Sequence, residues 1–408
     1  VRTVHTPNAA KFASQGVVME QCFCTAPQCS PSRAGLFTGM FPHCTGVLGL
    51  THDDFLWDMR RDVTHAAARF KALGYDTMLM GHPHELRDRE NRGWDSMTME
   101  TNGLRSAAAF DAYLTSRGRS DRPFFAQICM KQTHRPFPTP DVPADNSLGV
   151  TVPPYLDDTP GTRRDFAALQ GSVRQWDEAI GRILDLLDAR GLTDNTLVVI
   201  TTDHGVAMPR AKCTLYDPGI EVLLMLRWPG HLAPGTRHDA MLSNIDVLPT
   251  LLEACGSQAP PEIQGRSFWP LLTGAVYQPN EYVFAEQTFH TYYSPMRGVR
   301  TRRFKYIRNF ENGRTVVPSD IQEGEAFRDN IRRTFTPPQH PFEEFYDLQA
   351  DPLERSPLPP DVLPEQRAEL AAALAGWMVR TRDPLLEGPV SGPFYRRAIA
   401  EVLKQARR

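Results

Sequence analysis

No apolar run in this sequence approaches the roughly 20 residues needed to span a bilayer, and its 408 residues carry a net charge of only −3. The first absence excludes a membrane-spanning helix. The second excludes a chain that grips nucleic acid through bulk positive charge. Two further absences are positional. No aspartate precedes Asp53, and the chain opens on Val1 without the basic, apolar and small-residue pattern of a secretory leader. The seven cysteines, at 22, 24, 29, 44, 129, 213 and 255, include Cys22-x-Cys24 but no matching second pair. Zinc spacing is therefore missing. The cysteines read mostly as free buried thiols, which leaves the compartment open between cytoplasmic and periplasmic or secreted. There is no internal repeat and no low-complexity tract. A hydrophobic share of 41% and a charged share of 23% are those of a globular chain able to bury a large core.

What is present is concentrated in one stretch. Cys29 to Gly39 reads C-x-P-S-R-x-x-L-x-T-G, seven fixed positions in eleven. It resembles the signature of the type I sulfatases, in which the cysteine is oxidised after translation to formylglycine. A thiol suits a hard divalent cation poorly, since such ions prefer oxygen ligands. The hydrated aldehyde implied by the resemblance offers two hydroxyls. One binds the metal, loses its proton and attacks sulfur; the other lets the adduct collapse back to aldehyde with release of sulfate. Pro31 and Arg33 serve twice in this resemblance, because the formylglycine-generating enzyme reads C-x-P-x-R on the unfolded chain. In the folded site Arg33 is expected on the first helical turn, its charge steadying the nucleophile. The helix N-terminus faces the anion.

The rest of the chain alternates helix, glycine and strand. Thr6-Pro7-Asn8 leads a short helix over Ala9–Gln15 and resembles the T-P-N run that precedes the sulfatase nucleophile. Sulfatases also carry, further upstream, a strand ending in two metal-binding aspartates. This chain has no counterpart, and it reads as a piece that begins after that strand. Pro42-His43 and Gly46–Asp53 resemble the heparan N-sulfatase (sulfamidase) branch, with His52 and Asp53 facing either the substrate or solvent. A helix over Thr64–Leu73 has apolar residues at helical spacing, and Gly74 ends it. The strand Tyr75–Met80 then delivers Gly81-His82-Pro83-His84 at its carboxyl end, where α/β enzymes place ligands. Many sulfatases have G-K-x-H here: His84 matches the histidine, and His82 stands where the lysine would be.

A strand over Pro123–Cys129 leads to His134-Arg135-Pro136-Phe137, which places His134 at the site to hold sulfate or to pass a proton. A Pro- and Asp-rich excursion over Asp141–Thr162 precedes a long amphipathic helix, Arg163–Arg190, whose apolar stripe is core. The strand Leu197–Ile200 ends at Asp203-His204, the position of a sulfatase metal-ligand pair. Lys212, eight residues on, matches a basic residue that reaches the sulfate. Glu221–Trp228 reads as a buried strand, and Asn244–Thr250 as scaffold. His290 and Arg297 are candidates for the substrate pocket. Val299–Phe310 has strand character with a basic run (Arg300, Arg302, Arg303, Lys305) that faces either an acidic glycan or solvent. Phe345–Glu354 resembles the family's E-L-Y-D-L-x-x-D-P-x-E turn, and a helix over Glu365–Thr381 packs on a small sheet.

The resemblance implies an alkaline-phosphatase-like α/β fold: a doubly wound, mostly parallel sheet with a smaller C-terminal α+β subdomain of antiparallel sheet plus helix. The expected division is a catalytic domain over 1–290, a subdomain over 291–384 and an arm over 385–408. It implies a hydrolase for a sulfate ester or sulfamate on a sulfated sugar or glycosaminoglycan fragment. The cation is calcium first and magnesium second, held by Cys29, Asp203 and His204. Arg33, His134, His84 and Lys212 are the catalytic set, with His82, His290 and Arg297 toward substrate. Two other readings stand beside this one: a phosphonate or phosphate ester hydrolase, and a non-catalytic sulfated-glycan-binding relative. The C-terminal arm suits packing or a homodimer. Neither nucleic acid nor membrane is an expected partner.

Overall fold

The computed structural model describes residues 3–88, 92–118, 120–137, 139, 141–311, 317–334 and 341–406; the side chains of Asp53 and of residues 332–334 lie outside that description. Three sheets organise these residues. The first is parallel, in the order β3 (Ser96–Thr98), β2 (Asp76–Met80), β4 (Phe124–Ile128). The second runs β5 (Val198–Thr201), β6 (Glu221–Arg227), β1 (Val17–Phe23), β7 (Thr236–Ser243). In it β1 and β7 are parallel, while β6 is antiparallel to both its neighbours. The third is antiparallel: β11 (Glu343–Asp347), β10 (Phe304–Asn309), β9 (Tyr293–Arg300), β8 (Val283–Phe289).

Helices cover the first two sheets because their apolar stripes must be buried. The helix Pro160–Ala189 buries Phe166, Ile180, Ile183 and Leu187 and packs against the helices Pro7–Gln15 and Gly103–Arg117. The helix Pro364–Thr381 closes the third sheet with Leu370, Leu374, Trp377 and Met378, Trp377 stacking on Phe284 at 5.0 Å. No helix among the described residues is long and apolar enough to cross a membrane.

The outer edges of β4 and β5 have no strand partner among the described residues. Both edges line one continuous cavity of about 2110 Å³, together with Phe110, Ile180, Ile183 and Leu187. Val198 and Val199, on the strand expected over Leu197–Ile200, are only half-buried. One end of this cavity is the candidate site.

The structure differs from the sequence reading at several elements; the helix Gly103–Arg117 and the strands Ser96–Thr98 and Thr236–Ser243 were not expected. Val17–Phe23 is a strand inside the second sheet, although no strand was expected ahead of Cys29. Its side chains are mostly buried on both faces, so no alternation betrays it. Val299–Phe310 is not one strand but the end of β9, a turn and β10. Thr301 makes that turn, its N–H bonding the Phe304 carbonyl at 2.8 Å and its Oγ1 accepting from the Phe304 N–H at 2.9 Å. Finally, β8 pairs with β9, so the third sheet begins before the division expected at 290/291.

Candidate active site

Cys29 opens the helix Cys29–Thr38, which follows β1 directly; the helix ends at Gly39, in the left-handed region at φ 69° with its N–H on the Gly35 carbonyl. Asp203 and His204 lie just past β5, at the start of the long connection to β6. The two elements meet so that ligand atoms of Cys29, Asp203 and His204 all lie within 4.8 Å of one another. Cys29 Sγ is 3.2 Å from His204 Nε2. Nδ1 of His204 is 2.7 Å from the Gly205 carbonyl, which fixes Nδ1 as the donor and turns Nε2 toward Cys29. Ser32 Oγ bonds the Asp203 carbonyl, and Asn244 Nδ2 holds Ser32 Oγ at 3.0 Å. The signature helix and the Asp203 loop are thus stitched together.

Charge surrounds this cluster. Burial pushes the Cys29 thiol up, but Lys212 and His204 outweigh it and hold the thiol well below its ordinary range. Burial opposes a charge on His204, yet Asp203 and Cys29 raise it to about 9. Arg33 lies on the first helical turns with Nη1 at 4.0 Å from Asp203 Oδ2 and Nε at 3.1 Å from Glu85 Oε2. Lys212 is 3% exposed and donates to Asp320 at 2.6 Å. His134 lines the same cavity as Cys29 and helps to hold its thiol down, and its loop is anchored by Arg135, which bonds Asp165 at 2.7 Å and the Ala207 carbonyl at 2.8 Å.

His82, His84 and His52 line the same cavity as Cys29. His84 and His52 bond ring to ring, and the His82 ring centroid is 5.0 Å from that of His84. His290 is close enough to feel Lys212, Cys29 and Asp320; burial, then Lys212, pushes it down to about 3, so it is neutral.

Arg297 departs from expectation. It is 0% exposed, bonded to Asp383 through Nε and Nη2, and 3.5 Å from Glu286. No donor is left to face a cleft, and it is a strut of the third sheet. The basic run is likewise spent in ion pairs: Arg300 with Asp217, Arg302 with Asp239, Arg303 with Asp347, and Lys305 with Asp217 and Glu354.

The sequence reading missed Glu85 and Asp320. Glu85 is buried, accepting from Arg33, Gln127 and His65 at 3.1, 2.9 and 3.3 Å. Its one signal was its place directly after His84. Asp320 gave none, because its neighbourhood is assembled from distant segments.

The sulfatase family pattern matches residues 2–257, and the pattern described as N-sulphoglucosamine sulphohydrolase, C-terminal, matches residues 209–334. An ulvan-active sulfatase of Formosa agariphila is 30% identical over 96% of this chain and 78% of its own length. The human N-sulphoglucosamine sulphohydrolase is 27% identical over 95% of this chain and 88% of its own. A solved structure from glycosaminoglycan metabolism in Bacteroides thetaiotaomicron superposes with a TM-score of 0.75 at 21% identity, covering 94% and 90% of the two chains. Another, solved with its substrate D-glucosamine-2-N,6-O-disulfate, gives 0.71 at 18% identity over 95% and 94%. The chain belongs to the sulfatase family, with sulfamidase-like relatives and the alkaline-phosphatase-like fold. It is a hydrolase of the sulfuric-ester class.

Proposed function

We propose that this sulfatase cleaves a sulfate ester or sulfamate on a sulfated sugar or glycosaminoglycan fragment, after formylglycine-generating enzyme has converted Cys29 to formylglycine. The observation that carries the proposal is the meeting of Cys29 with Asp203 and His204, ringed by Lys212, Arg33 and His134. A carboxylate and an imidazole whose other nitrogen is tied to a carbonyl suit a divalent cation, calcium before magnesium, once position 29 offers oxygen instead of sulfur. Such a cation supplies Lewis-acid polarisation and lowers the pKa of a bound hydroxyl. Lys212, Arg33 and His134 stabilise the sulfuryl oxygens as charge builds in the transition state. His84 or His134 protonates the leaving oxygen or nitrogen. His82 and the neutral His290 face the sugar.

Sulfatases carry two further aspartates on a strand ahead of the signature. The opening between β4 and β5 supports a place for such a strand: two unpaired edges face it, and the cavity between them reaches Thr201, Thr202 and Asp203. The match to the N-sulphoglucosamine sulphohydrolase C-terminal pattern supports the sulfamate branch.

Parallel assays on glucosamine N-sulfate, an aryl sulfate and an aryl phosphonate test this reading. Turnover of the sulfated compounds that stops on chelation and returns with calcium is the expected result. Preference for the phosphonate establishes the rival hydrolase instead, because the tetrahedral anions are alike. Tight binding of glucosamine N-sulfate with no turnover by formylglycine-bearing protein would overturn the proposal.

A further inference from the structure

Past the end of β4, just ahead of His134, the chain makes a sharp turn. The Lys131 N–H bonds the Thr101 carbonyl at 2.8 Å, and the Lys131 carbonyl accepts the His134 N–H at 2.9 Å. Gln132 is buried: its Oε1 accepts from the Gly103 N–H at 2.9 Å and its Nε2 donates to Gln175 Oε1 at 2.7 Å. That anchor on the helices Gly103–Arg117 and Pro160–Ala189 leaves Lys131 and Thr133 exposed. Both line the cavity that holds Cys29, as His134 does. Before the turn, Cys129 Sγ accepts from Arg33 Nη2 at 2.7 Å. Lys131 is therefore bracketed along the chain by a residue that touches Arg33 and by one that holds down the Cys29 thiol. It stands at the site end of the cavity.

The other arginines and lysines that line this cavity are matched by carboxylates. Arg33 is paired with Glu85, Lys212 with Asp320, Arg117 and Arg122 with Asp76, and Arg237 with Glu20. Lys131 has no carboxylate partner among the described residues, and its side chain is exposed. A sugar with a second anionic group thus meets one unmatched ammonium on the wall beside His134. Opposite charges attract more strongly in a cleft than on an open surface, because less water screens them. The flexible four-carbon stem lets a lysine follow such a charge as a point contact.

We propose that Lys131 is a specificity-determining residue: its ammonium binds a second anionic group of the substrate, a further sulfate or a carboxylate. It thereby favours polyanionic sugars over those whose only charge is the sulfate to be removed. This rests on the sulfatase reading above and deepens it by naming what else the substrate carries. Lys131 lies outside the set that acts on the departing sulfate, so its loss spares substrates with a single charge.

The test measures release of the N-linked sulfate from three compounds. Glucosamine N-sulfate carries one charge, glucosamine-2-N,6-O-disulfate adds a sulfate, and a disaccharide of glucosamine N-sulfate with a uronic acid adds a carboxylate. Wild type is expected to favour at least one doubly charged compound in kcat/KM. Lys131→Gln should lower that preference about three- to tenfold, with glucosamine N-sulfate within twofold of wild type and Lys131→Arg retaining the preference. Loss confined to the disulfate identifies the bound group as sulfate, and loss confined to the uronic acid compound identifies it as carboxylate. A preference unchanged in Lys131→Gln overturns the proposal, as does equal loss on all three compounds or a wild type without preference. If formylglycine-bearing wild type releases sulfate from none of them, the sulfatase reading fails. Calorimetric titration with the same compounds judges Lys131 independently of turnover. Lys131→Gln is expected to shrink the affinity advantage of a doubly charged compound over glucosamine N-sulfate; an advantage equal in both proteins, or absent from wild type, contradicts the proposal.

Discussion

Arg33 is held in register by a carboxylate that never faces the substrate. Glu85 collects Arg33, Gln127 and His65 in a site closed to water, and Arg33 then reaches Asp203. Replacing Glu85 by Gln strands a buried guanidinium and is expected to lower stability by about 3 kcal/mol. Burial raises the Glu85 carboxyl, but Arg33 and His65 more than offset this and hold it well below its usual range. A depressed acid stabilises the fold fully above its unfolded pKa of about 4.3 and loses that contribution as pH falls through the lower folded value. The melting-temperature gap between wild type and Glu85→Gln should therefore be constant from pH 7 to pH 5 and narrow in stronger acid. A gap that stays constant into strong acid would show that the carboxylate charge is not what Arg33 needs. At Asp203 the expectation concerns metal: Asp203→Asn should raise the calcium concentration needed for half-maximal activity at least about tenfold, measured by titrating chelated protein.

At the scale of elements, Arg297 was legible as an arginine on a strand but not as a strut. Its partners, Asp383 and Glu286, lie in other parts of the chain, and sequence spacing says nothing of their meeting. Arg297→Met leaves two carboxylates buried and is expected to cost about 3–5 kcal/mol of stability. Denaturant unfolding should record that loss, while KM for glucosamine N-sulfate stays within twofold; a large rise in KM with stability intact would return Arg297 to the substrate pocket. Contrast the elements that sequence did disclose. Asp203-His204 follows a strand whose apolar run is unmistakable, and Lys212 sits at a fixed offset from it on the same connection, so local pattern carried both. The helices Pro7–Gln15, Ala66–Ala72, Pro160–Ala189 and Pro364–Thr381 were marked by periodicity, prolines and a terminal glycine. The strand Val17–Phe23 and the hairpin at Thr301 were not, because burial on both faces and a turn made by a threonine leave no such mark. Asp320 was invisible for the reason that Arg297 misled: its partner Lys212 is brought to it only by the tertiary fold.

For the molecule as a whole, the opening between β4 and β5 decides how the two N-terminal sheets behave. Among the described residues each edge leaves backbone donors and acceptors without strand partners, and the cavity between them is walled by apolar side chains. In the 408-residue chain, amides of β4 and β5 should exchange with solvent faster than those of β1, which is paired on both sides. Hydrogen exchange followed by peptide mass reads this directly, and equal protection of β5 and β1 would contradict the open edge. The C-terminal helix Pro393–Ala406 buries none of its residues and exposes Phe394, Tyr395, Val402 and Leu403.

The central claim is that position 29 acts as an oxygen nucleophile. It is tested most directly by the mass of the peptide bearing Cys29, isolated from protein made alongside formylglycine-generating enzyme. The account predicts the aldehyde at Cys29. An unmodified thiol, in cells that convert other C-x-P-x-R chains, would contradict it.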